Sequence, residues 1–569
     1  MATKMESSVN KVYIASDSIF SPLGMDTEEN MRAIEEYKSG ITLIDDTSLY
    51  YKPMYGARIS GEFEDPDLSH LERRAIFSVN RALNGLKEYD RDEFCKESVL
   101  ILSTTKGDID FLSVNQNMLD NRVFLKHTAR VIAGYFNFVN EPIVVSNACI
   151  SGVNAIITAS RLIASGEYRH AVVVGIDMLS RFVVTGFHSF HSISTTPCLP
   201  YDARRDGLSL GEAAGVVILT ADRSIVADTY PVIVEGGAVS NDANHLSAPS
   251  RSGDGLCSAI LSSMAKSGVK AEDISFINAH GTATVYNDEM ESKAIHLAGL
   301  QDCTVQSLKP YWGHTLGASG VIESICCFWQ MKHNILFATK GYSVPGVPMG
   351  IKVSAEHRKA SLRRCLKTAS GFGGCNAAIL YALESASRSV CATPPAQWNF
   401  IKRFELKGEE GFHDIIRDWN KKLDNKDLKF FKMDDLSKLG YIGVLALLDG
   451  CDVINSVPQE KTGLFFGNVS SSLNSDIKHL AAIGVDGDSM ASPSVFVYTL
   501  PNVVLGEICI KNHFKGENTF FIFDTDERNM VEAQLLKYAG LSDLEMVIVG
   551  WCDLLGEHFD MNIALYKRA

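Results

Sequence analysis

The chain has 569 residues, 46% of them apolar and 21% charged, and a net charge of −14. That length exceeds one ordinary core and fits about three domain-sized units. The acidic balance argues against general nucleic-acid binding. Thirteen scattered cysteines, without paired CxxC spacing, argue against a disulfide framework or a zinc site and fit reduced thiols in a cytoplasm.

The first residues, "MATKMESSVNKVYIAS", lack the apolar core of a signal peptide. Apolar β-like runs follow at 98–104, 141–146, 170–175, 214–220 and 273–281, with helical stretches between them. Such alternation predicts an α/β fold with a largely parallel, buried sheet. At 146–152, "SNACISG" places Cys149 where a buried strand passes into a helix that starts near Gly152. Backbone N–H groups at a helix start favour negative charge, so a thiolate is expected to be stabilised there. Taken alone, that cysteine is either a nucleophile or a buried structural residue.

Three further motifs follow. "NAHGTAT" (278–284) ends a strand and sets His280 in a Gly/Thr loop. "LKPYWGHTLGASGVIES" (308–324) places Lys309 and His314 before a small-residue helix. "SGFGGCNAA" (370–378) is a glycine-rich turn where backbone can approach a ligand closely. The apolar run 320–338 is broken by Glu323 and Lys332, which predicts a buried helix and a following strand instead of a membrane span. Residues 386–397, with Pro394–Pro395, read as a linker between a unit of residues 1–385 and a unit of residues 398–569.

The second unit echoes part of the first. "HAVVVGIDMLS" (170–180) matches "EMVIVGWCDLL" (545–555), 96–110 matches 460–474, and 140–156 matches 516–533. Order, spacing and apolar pattern carry the repeat. Thr525 then falls where Cys149 stands, between Asp524 and Asp526.

A cysteine at a helix start and two histidines in strand-end loops are what acyl transfer through a thioester needs. Here the sequence resembles the elongating β-ketoacyl–acyl carrier protein synthases of the thiolase-like superfamily, over essentially residues 10–385. "NACISG", "AHGTAT", "KPYWGHTLGASG" and "GFGGCN" stand in family order, and "FSPLG" (20–24) and "YDARRDGLSLGEAAG" (201–215) match further signatures. The resemblance implies a five-layered αβαβα synthase domain followed by a truncated synthase-like α/β domain. It implies Cys149 as the acyl-accepting nucleophile and the N–H groups of Cys149 and Phe372 as the oxyanion hole, with Phe372 also an aromatic gate. His280 and His314 would hold the enolate formed from malonyl-carrier protein. Lys309 would be the buried lysine, Glu323 its charge partner, and Thr282 and Thr284 the pantetheine ligands. Cys375 is left structural. No metal or cofactor is implied, because phosphopantetheine arrives on the acyl carrier protein.

Ile150, the short stretch 108–136 and the compact cap 178–200 depart from the family pattern and put an ordinary fatty-acid substrate in doubt. Carrier proteins are acidic, as is this chain, so docking calls for a local basic patch. Arg73, Arg74, Arg204 and Arg205 are the candidates, the alternative being that they form only a solvated face. The second unit repeats only the cysteine half, without "HGT" or "GHT". The strand "TFFIF" (519–523) is expected to cover the bare edge of "PIVVS", making an internal pseudo-dimer, with a further homodimer also open. That arrangement resembles the ketosynthase and chain-length-factor pairs of aryl polyene and flexirubin-type pigment synthesis. A cytoplasmic housekeeping fatty-acid synthase with a structural appendage, and a non-catalytic carrier-protein scaffold, remain as alternatives.

Overall fold

Buried β-branched runs assemble into one sheet of 16 strands. In chain order these are β1 (Tyr13–Phe20), β2 (Ser98–Ser103), β3 (Ile143–Val145), β4 (His170–Asp177), β5 (Ala213–Thr220), β6 (Val232–Asn241), β7 (Phe276–Asn278), β8 (Thr304–Gln306), β9 (Lys352–Val353), β10 (Arg364–Gly371) and β11 (Cys375–Leu383). The second unit adds β12 (Trp398–Gly408), β13 (Thr462–Asn468), β14 (Asn518–Ile522), β15 (Met546–Leu555) and β16 (His558–Arg568). The helices that matter below are α1 (Leu125–Tyr135), α2 (Ser151–Ala164), α3 (Arg181–Ser189), α4 (Val285–Leu297), α5 (Ser319–His333), α6 (Leu473–Ile483), α7 (Val503–Asn512) and α8 (Val531–Gly540). The structure is a computed structural model that describes residues 10–61, 65–115, 119–387, 396–483 and 491–569. Most of the expected linker, including Pro394 and Pro395, lies outside the described residues.

The strand order is β9-β8-β7-β10-β11-β6-β1-β5-β4-β2-β3-β14-β13-β15-β16-β12. It reads symmetrically about the β3–β14 seam. From that seam, β3, β2, β4, β5 and β1 run one way, and β14, β13, β15, β16 and β12 run the other. Both series also occur in the same chain order, which is the repeat expected from the sequence. The expected pairing across the seam is present: β3 and β14 are antiparallel, with Val145 opposite Phe521 and Val144 opposite Ile522. The seam therefore has no open strand edge.

The thiolase-like layering depends on two helices between the cysteine half and the histidine half. α2 and α5 pack on each other and on strands of both halves. They meet at backbone distance because the contact residues are glycines. A Cβ on Gly152 would lie 2.8 Å from the Gly317 carbonyl oxygen and 2.9 Å from the Val321 nitrogen. The apolar run 320–338 is the buried α5 and a short strand, Ile335–Leu336, as expected. Among the described residues no single helix is long and apolar enough to cross a membrane. The strand expected at 273–281 is shorter, Phe276–Asn278. Residues Ala271–Asp273 close a 3₁₀ turn, and the N–H groups of His280 and Gly281 leave the sheet to bond Glu291.

Candidate active site

Cys149 sits at the start of α2, directly after Ala148, whose φ is +50°. That left-handed residue turns the chain sharply between β3 and the helix and presents the thiol. Two loops bring the imidazoles to it. The His280 loop is tied down by α4: Glu291 accepts from the N–H groups of His280 (2.7 Å) and Gly281 (2.6 Å), and Asp288 accepts from Ala283 N–H. The His314 loop is held by the 201–215 signature. His314 N–H donates to the Ser209 carbonyl at 2.7 Å, and Gly211 N–H donates to the His314 carbonyl at 3.1 Å. Asp177, at the end of β4, joins the strand ends to the same loop by accepting from the Thr104 hydroxyl and from the N–H groups of Thr105 and Gly317.

The reactive atoms converge. His314 Nε2 is 3.1 Å from Cys149 Sγ, and its Nδ1 is 3.0 Å from Ser319 Oγ. The rings of His280 and His314 lie 5.2 Å apart at 87°. One side-chain atom each of Cys149, His280 and His314 falls within 4.8 Å of the others. Such a Cys-His-His set has the donor types of a zinc site, and all three residues line one cavity. Lys309 Nζ donates to Glu323 Oε1 at 2.8 Å and lies 3.5 Å from His280 Nδ1. The ammonium at Nδ1 leaves His280 with its hydrogen on Nε2.

Sequence reading missed Lys367. Its ammonium donates to the second oxygen of Glu323 at 2.6 Å, so one buried carboxylate carries two buried ammonium groups. Burial opposes the Glu323 charge, yet Lys309 and Lys367 hold its carboxyl below the usual range. The trio keeps one net positive charge beneath the site. Burial first, then Lys309, push both His280 and His314 well below the ordinary imidazole value, so both are neutral.

The expectation of a stabilised thiolate is corrected. Cys149 keeps a partial opening to the cavity but is surrounded by protein, and burial pushes its thiol up to about 12. Lys309 and the local backbone N–H pull the other way without prevailing. The resting pair is a neutral thiol beside a neutral imidazole.

The cavity holds about 320 Å³, and Cys149, His280, His314, Thr282, Thr284 and Phe372 all line it. Thr282 and Thr284 bond each other at 2.9 Å. Phe372 lies beside Phe190 and Phe187, with ring centroids 5.3 and 6.1 Å away. Gly371 brings this turn onto the nucleophile: a Cβ there would stand 3.1 Å from Cys149 N.

The expected basic patch is corrected in part. Arg74 is buried and paired with Glu212 at 3.2 Å. Arg205 is buried beside Asp288 and Glu289. Their charges are used inside the fold and are closed to a partner. Arg73 and Arg204 keep partial exposure, though Arg204 bonds Asp202 at 2.8 Å.

Comparison with known proteins agrees with this site. Residues 98–224 match the family described as Beta-ketoacyl synthase, N-terminal domain, and residues 230–343 match its C-terminal domain. The chain carries both domains of the β-ketoacyl synthase family, over residues 98–224 and 230–343. It is an acyltransferase. It is 36% identical to 3-oxoacyl-[acyl-carrier-protein] synthase 2 of Rhizobium meliloti, over 42% of this chain and 59% of that one. Against the enzyme of that name from Vibrio harveyi it is 25% identical, over 66% of this chain and 99% of the relative. Two solved structures share the fold. The PfaC keto synthase–chain length factor superposes with a TM-score of 0.80 at 14% identity, covering 98% of this chain and 78% of its own. The ketosynthase ApeO from Xenorhabdus doucetiae, solved with its chain length factor ApeC, superposes with a TM-score of 0.59 at 24% identity, covering 67% of this β-ketoacyl synthase and all of that chain.

Proposed function

We propose that this chain carries out decarboxylative Claisen condensation of an acyl group held on Cys149 with malonyl-acyl carrier protein, giving 3-oxoacyl-acyl carrier protein. The observation that carries the reading is the convergence of Cys149 Sγ, His280 and His314 at the floor of one cavity. In the first half-reaction Cys149 Sγ attacks the incoming thioester carbonyl while its proton passes to His314 Nε2, 3.1 Å away. Cys149 N–H and Phe372 N–H receive the oxyanion. The carrier thiol leaves with the proton. In the second, the malonyl unit loses CO2 and its enolate oxygen is held by the two imidazoles. The enolate carbon then attacks the acyl-Cys149 thioester, the C–S bond breaks, and the departing Cys149 thiolate takes up a proton from solvent to restore the thiol. The net positive charge of Lys309, Lys367 and Glu323 favours each anionic stage. No group beyond the carrier's own phosphopantetheine is needed.

In this reading the chain is an internal pseudo-dimer of residues 1–385 and 398–569, and the second unit shapes product length, as in polyene-type synthesis. Support comes from the wall behind the cavity. Phe187 and Phe190, which line it, are backed by Phe496 of the second unit, with centroids 5.5 and 6.2 Å away. Gly186 on α3 has no side chain where a Cβ would overlap the Phe496 ring. Leu473, Ile477 and Ile483 join the same apolar cluster as Leu179, Phe182 and Val183. Mass spectrometry of products formed from malonyl-acyl carrier protein and a panel of acyl primers tests the proposal. Condensation by Cys149→Ala at the rate of the unaltered chain would sink it.

A further inference from the structure

We infer that Asn502, in the second unit, is a positioning residue for the catalytic turn of the first, so that the second unit acts on the rate of condensation as well as on the length of the product. The inference rests on the condensation chemistry proposed above. Asn502 is fully buried and lies immediately before α7. Its Nδ2 donates to the carbonyl of Phe372 at 2.8 Å. Phe372 sits in the turn that joins β10 to β11, where Gly373 and Gly374 take φ values of +86° and +72°.

Other bonds pin this turn from within the first unit. Gly373 N–H donates to the Leu246 carbonyl, Asn241 Nδ2 donates to the Gly373 carbonyl at 2.9 Å, and the Cys375 thiol faces the Phe372 carbonyl at 3.3 Å. Asn502 adds a hold from across the seam at the residue expected to give both gate and oxyanion donor. Its own Oδ1 is buried without a hydrogen-bond partner. The reverse amide orientation would set that oxygen against the Phe372 carbonyl, so the contact with the turn fixes the amide. α7 reinforces the hold through Gly506, where a Cβ would fall 2.8 Å from the Gly373 carbonyl oxygen and 2.9 Å from its Cα. Gly371, at the other end of the turn, abuts Cys149 N. A shift of this turn therefore changes the spacing of the Cys149 and Phe372 N–H groups, and oxyanion donors act only at their set distance.

The test is steady-state condensation by the full chain, with product lengths read by mass spectrometry. Asn502→Leu keeps the number and branching of the heavy atoms and removes the donor. Its kcat is expected to fall about tenfold, with KM for the carrier substrates within about twofold, the signature of lost transition-state positioning. Asn502→Asp separates positioning from packing. Its protonated carboxyl can donate to the Phe372 carbonyl and its carboxylate cannot, so its deficit relative to the unaltered chain should shrink as pH falls from 8 to 6. If Asn502→Leu does not fold, Gly506→Ala, which presses the same turn, should lower kcat in the same way. Unchanged kcat in the folded variants, or an Asn502→Asp deficit independent of pH, would overturn the inference. An unaltered chain that forms no condensation product would instead overturn the proposed function.

Discussion

The strand-to-helix junctions at Cys149 and at Thr525 occupy matching places on either side of the β3–β14 seam and have opposite surroundings. At the first, the helix begins at Ser151, two residues after the thiol. The thiol faces two neutral imidazoles above a buried cluster with net positive charge. At the second, the helix begins only at Val531, and Thr525 is exposed between Asp524 and Asp526. Those acids bond Arg130 on α1, and the next residue, Glu527, is buried against Lys126 at 2.9 Å. One junction is the proposed reaction centre and the other an ionic clasp onto the same domain. A shared backbone plan thus leaves chemistry undetermined; the half that brings His280 and His314 decides it, and the described residues of the second unit show no such half.

The sharpest break of this comparison is an exchange of nucleophiles. Cys149→Ala should lower condensation at least about a thousandfold, and Thr525→Cys in that background should restore none. Formation of an acyl adduct at position 525, detected by intact-protein mass spectrometry, would erase the distinction. The ionisation of the thiol gives a second test. With Cys149 raised to about 12, the thiolate fraction grows about tenfold per pH unit below that value. Alkylation of the substrate-free chain by iodoacetamide should keep accelerating from pH 7 to pH 10, and a plateau near pH 7 would show a thiol already ionised.

The clasp can be weighed by its two parts. Lys126→Met leaves Glu527 charged and buried, so unfolding in urea should lose about 3–5 kcal/mol. Arg130→Ala removes partly exposed pairs and should cost about 1 kcal/mol or less; equal costs would mean that burial does not govern the clasp. The mildest effect on activity is expected at the cavity wall. Phe496→Ala should lengthen the products while kcat stays within about threefold, and an unchanged length distribution would remove the second unit from length control.

Much of this was legible in the sequence. Apolar runs set between turn residues marked the strands, because strands buried on both faces must be almost wholly apolar. The motifs around Cys149, His280, Lys309 and His314 announced themselves, because each needs glycine or small residues where backbone turns tightly or helices touch. The pairing of "TFFIF" with the strand before Cys149 followed from two matching segments, one bare edge and the strand pairing across a dimer that the family resemblance implies.

What tertiary structure alone decided concerns residues of ordinary type brought together from distant places. Lys367 lies within a strand, Glu291 within a helix and Asp177 at a strand end, and nothing local marks any of them. The sequence offered Arg74 and Arg205 as candidates for a docking patch, yet the fold turned both inward onto carboxylates. It also placed Cys149 at a helix start, where a thiolate is favoured, but could not show the burial that outweighs that preference. Local pattern fixes backbone conformation because its causes lie within a few residues. Electrostatic environment is a sum over everything within several ångströms, and for Cys149 that sum includes the charges of Lys309 and Glu323 and the depth of the surrounding protein, which exist only once the chain has folded.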